Sequence, residues 1–371
     1  MTSPVQPVQP AQPKQPAQSP VAAPAAAAQP SVASVAPAAP AAAAQPPIAP
    51  QRPRPTNNGY TTGRRMAAGR LKLTYVGSVR AELTKLLSIR STYWLLGITL
   101  LLITAGAALS AWSYKEMATL SFDEQTGAMT TLAEPRPMDG SQVWTSLVGI
   151  IPTSAIVIGI FGIMAITSEY TNLTVQSGLV ANPRRGMYLA AKATVVGILS
   201  FLTSLLGLLL GWVALRVVLA GVTVNPLTDS QRMLPVVCLL GGPAICMAMA
   251  WLALGLGAIC RSTVSGVFAL IGVWMILPSI LAIATMSEKS RPVFQSIVNC
   301  LPDRAMSDFL TGSVDQALMP GYDPSAYGII GGGSQPDYFD PTWWQSGLIF
   351  VAWVAVVYAI GTVVMSRADV K

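Results

Sequence analysis

The chain has 371 residues, of which 52% are hydrophobic and only 11% charged, with 23 Lys and Arg against 16 Asp and Glu and a formal net charge of +7. With a mean hydropathy of +0.52, it lies far from an ordinary soluble domain. Histidine is absent and no two of Cys238, Cys246, Cys260 and Cys300 have metal or redox spacing, so neither a catalytic nor a metal site is expected.

Residues 1–62 are dominated by Pro, Ala and Gln, as in "PVQPVQPAQPKQPAQSP". Without large apolar side chains to offset ordering entropy, the segment is expected to be a disordered tail with polyproline II character. It has neither the basic start nor the apolar core of a signal peptide, which predicts that it stays in the cytoplasm. A tether and a ligand for a proline-recognising partner are both open readings.

Residues 63–92 form a basic segment. At 100° per residue, Val76, Val79, Leu83, Leu86 and Leu87 share a stripe about 100° wide, with Lys85 opposite it. This predicts an amphipathic interfacial helix feeding into a membrane span. About 20 apolar residues cross a hydrocarbon core of about 30 Å, and residues 93–371 hold six runs of that kind: 93–112, 143–167, 188–219, 234–259, 264–286 and 345–366. Lys192 and Arg216 stand near the two ends of the third run, where long side chains are expected to snorkel to headgroups. The fold expected is therefore an all-α membrane protein with six transmembrane helices.

An even number of spans puts both termini on one side. From Arg64 to Arg90 there are seven Lys and Arg, and the segments after spans two, four and six add Arg184, Arg185, Arg261, Arg367 and Lys371. The opposite loops carry fewer, which predicts cytoplasmic termini. The longest outer loop, 287–344, begins with helical patches broken at Pro302 and ends at Trp343 and Trp344, a pair suited to the headgroup interface.

No G-x-x-x-x-G-K-[ST] phosphate loop occurs, so the chain has no ATPase motif of its own. Gly207 and Gly211, spaced four apart, and Gly255 and Gly257 are expected to let neighbouring helices pack closely. Within 93–112, 143–167, 193–215, 234–259, 264–286 and 345–366 there is no Asp, Glu, Lys, Arg or His, which weighs against proton coupling at mid-depth. The polar segment 168–185, "SEYTNLTVQSGLVANPRR", follows span two. If it is helical, Leu173 and Val180 share one face while Val175 and Leu179 share nearly the opposite one. That pattern fits contact with the bundle on one side and a second protein on the other, or simply a positive-inside loop.

The basic stretch "VRAELTKLLSIRSTYW", the segment "SEYTNLTVQSGLVANPRR" and "NCLPDRAMSDFL" before the last span occur in this order, and from about residue 75 to 371 the chain resembles the type-2 permeases of ATP-binding cassette exporters, the ABC-2 membrane subunits. The resemblance implies a permease that pairs with a second copy or paralogue in the plasma membrane, next to membrane lipid. Each permease would rest on a separate ATP-binding subunit that carries the ATP and Mg. It also implies that Glu169, Thr174, Leu179, Pro183 and Arg184 couple to that ATPase together with Glu82, Lys85 and Arg90. No cofactor on this chain and no nucleic acid are expected. A secondary transporter or channel, and a non-transporting anchor or scaffold using the Pro-rich tail, are the alternatives.

Overall fold

In the computed structural model, residues 74–122, 129–132, 134–171, 185–287, 289–312 and 338–367 are described. The expected tail and residues 172–184 lie outside them. Six helices are long and apolar enough to cross a membrane: Arg90–Ala118, Gly140–Tyr170, Gly186–Val218, Leu234–Cys260, Thr263–Ala284 and Trp343–Arg367. We call these the first to sixth spans. They make the protein an all-α membrane protein.

A shorter helix, Tyr75–Ser88, leads into the first span. Thr74 caps it, its side-chain oxygen accepting from the Gly77 N–H at 3.3 Å. It stops because Ile89 is extended, with φ −93° and ψ 121°, and a new helix starts at Arg90. Carbonyls freed at such a joint need other donors. The Ser88 hydroxyl donates to the Lys85 carbonyl at 2.7 Å, and the Tyr93 hydroxyl donates to that of Leu87, also at 2.7 Å. The end of the bundle beside this leading helix is termed proximal and the opposite end distal.

The fourth span is central. It packs against the second, third, fifth and sixth, while the first packs mainly on the third and second. Glycines set the closest approaches. A Cβ on Gly255 would lie 2.8 Å from the Tyr358 Cα, and one on Gly361 would lie 2.6 Å from the Gly255 carbonyl oxygen. Two of the spans contain π-helical turns, Val237–Gly241 and Gly272–Ile276. Each lies just before a proline, Pro243 or Pro278, whose ring and missing N–H prevent a regular turn.

The distal loops add two short pairings that hydrophobic periodicity does not signal. Leu120–Phe122 runs antiparallel to Met129–Thr131. Met138–Asp139 runs parallel to Val224–Asn225, tying the loop before the second span to the one after the third.

Two helices after the fifth span, Arg291–Asn299 and Pro302–Thr311, split at Pro302 as expected. They do not hang free of the bundle. The second buries Ala305, Met306 and Leu310, and Phe309 packs against Gly241, Gly347 and the Trp343 ring, whose centroid is 6.0 Å away. Between the helices, the Cys300 carbonyl accepts from the indole N–H of Trp353, within the sixth span, at 2.9 Å. Trp343 is thus partly a packing residue, whereas Trp344 remains exposed.

Burial pushes the carboxyls of Asp303 and Asp308 above their ordinary range, against the opposing pull of Arg304. Asp303 Oδ1 has no hydrogen-bond partner among the described residues. A carboxyl whose folded pKa is raised contributes stability below its unfolded pKa and loses it as pH rises through the folded one. The distal helices are therefore held less well at neutral than at mildly acid pH. Thermal unfolding in detergent from about pH 7 down to about pH 4, the ordinary carboxylate range, should show a flatter pH dependence in the Asp303→Asn/Asp308→Asn variant than in the parent. Equal slopes would refute this.

Candidate functional site

Where the leading helix, the end of the second span and the start of the third meet, four charged side chains and a tyrosine converge. On the leading helix, Glu82 and Leu86 lie one turn apart and are its buried residues. Lys85, three residues after Glu82, lies close enough around the helix to reach the same junction. On the third span Tyr188 and Lys192 are also four apart and therefore share a face. Glu169 projects from the last turns of the second.

Lys192 is fully buried, at 0% exposure. Its ammonium donates to Glu82 Oε2 at 2.5 Å and to Glu169 Oε1 at 2.6 Å. It also lies 5.3 Å from the centre of the Tyr188 ring, within cation–π range. Glu169, itself 1% exposed, accepts from Lys85 through the same Oε1 and from the Tyr188 hydroxyl through Oε2.

Two carboxylates and two ammoniums cancel in charge. A buried ion needs such pairing, because leaving it alone in the interior costs several kcal/mol. The site holds no nucleophile–base pair, and its groups are occupied with one another. What it can do is mechanical. Three elements far apart in sequence are held by charge-assisted bonds, which are directional and short. Lys85, with a side chain 39% exposed, is the member that reaches the surface.

Of the expected coupling residues, the structure therefore joins Glu82, Lys85 and Glu169. Arg90, at the start of the first span, is exposed, and no ion pair involves it among the described residues. Thr174, Leu179, Pro183 and Arg184 lie outside the described residues. Lys192 corrects the expectation that it snorkels. Two acids within reach hold it inside the bundle, whereas Arg216 at the distal end lies over the Trp212 ring at 5.7 Å. Tyr188 and Lys192 were the residues sequence reasoning missed. Their four-residue spacing at a span entrance was the available signal.

Gly207 and Gly211 face the first span. An added Cβ on Gly207 would lie 3.1 Å from Ile103, and one on Gly211 would lie 3.0 Å from Ala107. Gly257 abuts Ile163 and Ile166 of the second span.

Compared with curated proteins, the chain finds no match. The family model described as "ABC-2 family transporter protein" matches residues 80–370, a stretch that includes the buried ionic junction and all six spans. The chain belongs to the ABC-2 transporter family and is a multi-pass membrane permease of the ATP-binding cassette class, a type of subunit that normally works with a separate ATP-binding subunit.

Proposed function

We propose that this chain is the membrane half of an exporter in the plasma membrane, with both termini in the cytoplasm and with ATP and Mg bound by a separate ATPase subunit. Two permeases, copies or paralogues, would form the substrate path between them. Residues 1–62 would form the cytoplasmic tail, 63–92 the interfacial segment and 93–371 the permease domain.

The observation that carries this reading is the junction of Glu82, Lys85, Glu169 and Lys192. It connects the leading helix to the second and third spans at the base of segment 168–185, the segment expected to touch the ATPase. A push on that segment would reach Glu169 first and pass through Lys192 to the leading helix. The bundle would then alternate between two states, with energy entering as differential binding of the ATPase to each. The charged groups lie at the proximal end rather than at mid-depth, and each has a partner of opposite sign, which favours a linkage over an ion-coupled path.

The test starts with affinity purification of the full chain in mild detergent, which should recover a stoichiometric ATP-binding subunit. In the reconstituted complex, Glu169→Gln and Glu169→Lys should let ATP turnover continue while transport falls at least several-fold. Gln keeps the shape of the side chain, so it separates lost charge from misfolding. Unchanged transport in a folded Glu169→Gln complex would overturn the coupling role, and reproducible absence of an ATPase would overturn the whole reading.

A further inference from the structure

On the far side of the leading helix's first turn is a cavity of about 360 Å³, lined by that helix and the third, fourth and sixth spans. Its walls are almost entirely apolar. Trp251 forms one of them, its indole N–H fixed on the Ala193 carbonyl at 2.8 Å. Gly197 makes room for that ring, since a Cβ there would lie 2.6 Å from the indole nitrogen. Val351, Val354 and Tyr358 form the wall on the sixth span. At the proximal end the Tyr75 hydroxyl donates to the Ala190 carbonyl at 3.3 Å and shares a hydrogen bond of 2.5 Å with Thr194 Oγ1.

We propose that this cavity is a binding site for one acyl chain of a membrane phospholipid, taken from the leaflet on the proximal side. Its depth matches. At 1.5 Å per residue, Ala190 lies about 6 Å from the proximal end of its span, Trp251 and Tyr358 lie about 14 Å from theirs, and Val351 lies about 24 Å in. The lining thus runs from about 6 to about 24 Å below the proximal end, through the proximal leaflet and past the midplane of a core about 30 Å thick.

Its mouth opens through Val351 and Ala355, exposed residues of a membrane-spanning helix, so it is continuous with the surface that meets hydrocarbon. Water would find few partners inside, because the hydroxyls of Tyr75 and Thr194 are bonded to each other, and a void would forfeit contact with the walls. A chain satisfies both conditions. Tyr75, amphipathic and exposed, stands where the ester region would lie. If the coupling reading holds, a chain seated here also braces the helix that carries Glu82 and Lys85.

The test uses the full chain in phospholipid nanodiscs doped with a phospholipid bearing a diazirine near the end of one acyl chain. After photolysis and peptide mass spectrometry, adducts on Trp251, Val354 and Tyr358 should exceed those on Leu101 and Leu109, exposed residues of the first span, by about fivefold or more. Ala355→Phe, which fills the mouth, should cut the cavity adducts several-fold and leave the first-span adducts unchanged. Val351→Phe serves the same purpose if Ala355→Phe does not fold. Adducts no denser in the cavity than on the first span, or unaffected by filling it, would overturn the proposal. So would labelling by a free diazirine fatty acid without labelling by the phospholipid.

Discussion

Replacing Lys192 with methionine is expected to lower the stability of the bundle by about 3–5 kcal/mol, the usual cost of removing one partner from a buried ion pair. The ammonium is fully buried and serves two carboxylates at 2.5 and 2.6 Å. Without it Glu169 still has Lys85, but Glu82 is left with no cation beside it in a buried setting. Most of the cost therefore falls on Glu82. The double variant Glu82→Gln/Lys192→Met removes that uncompensated charge and should recover most of the loss. Unfolding midpoints in mixed micelles measure both, and a single variant as stable as the parent would show that the pairing does not hold the three elements together.

Adding a side chain where the fourth and sixth spans touch should disturb the bundle in a different way. At Gly361 a new Cβ would stand 2.6 Å from the Gly255 carbonyl oxygen and 2.9 Å from its Cα. Both obstacles are backbone, so no rotamer change relieves the clash and the two helices must part. Overpacking of this kind costs about 1–3 kcal/mol, occasionally more, and Gly361→Val should reach the upper end and broaden the unfolding transition. Gly97→Ala provides the control, because an added Cβ there meets nothing within 4 Å. In a helix that change is neutral or favourable by up to about 1 kcal/mol. Similar losses in both variants would mean that helix contact at Gly361 is not the cause.

The six apolar helices were legible because a run of about 20 apolar residues has few other places to go. The break at Pro302 was also legible, since proline is at home in a first helical turn. Lys192 was not. A lone lysine just inside an apolar run looks like a headgroup seeker, and its partners are 23 and 110 residues away. Periodicity on one segment carries no information about an acid on another. Glu82 was named only through the resemblance, because periodicity shows the apolar stripe beside it, of which Leu86 is buried and Val79 and Leu83 pack against the core, and says nothing of a cation on another segment. The short strands escaped notice because pairings of two or three residues follow from where the spans place their loops. Of the eight residues that the resemblance implies, Glu82, Lys85 and Glu169 belong to a junction that Tyr188 and Lys192 complete.

Ile89 is the only residue between the leading helix and the first span, and this makes the pair a bent lever with a single pivot. One arm is about 21 Å long and the other about 44 Å, at 1.5 Å per residue over 14 and 29 residues. A change of about 5° in the torsions of that one residue would carry the distal tip of the long arm through about 4 Å. Ser88 and Tyr93 hold the Lys85 and Leu87 carbonyls, both on the leading-helix side of the bend. A displacement of the short arm at Glu82, seven residues or about 10 Å from Ile89, would be multiplied about fourfold at the distal tip, at the opposite face of the membrane.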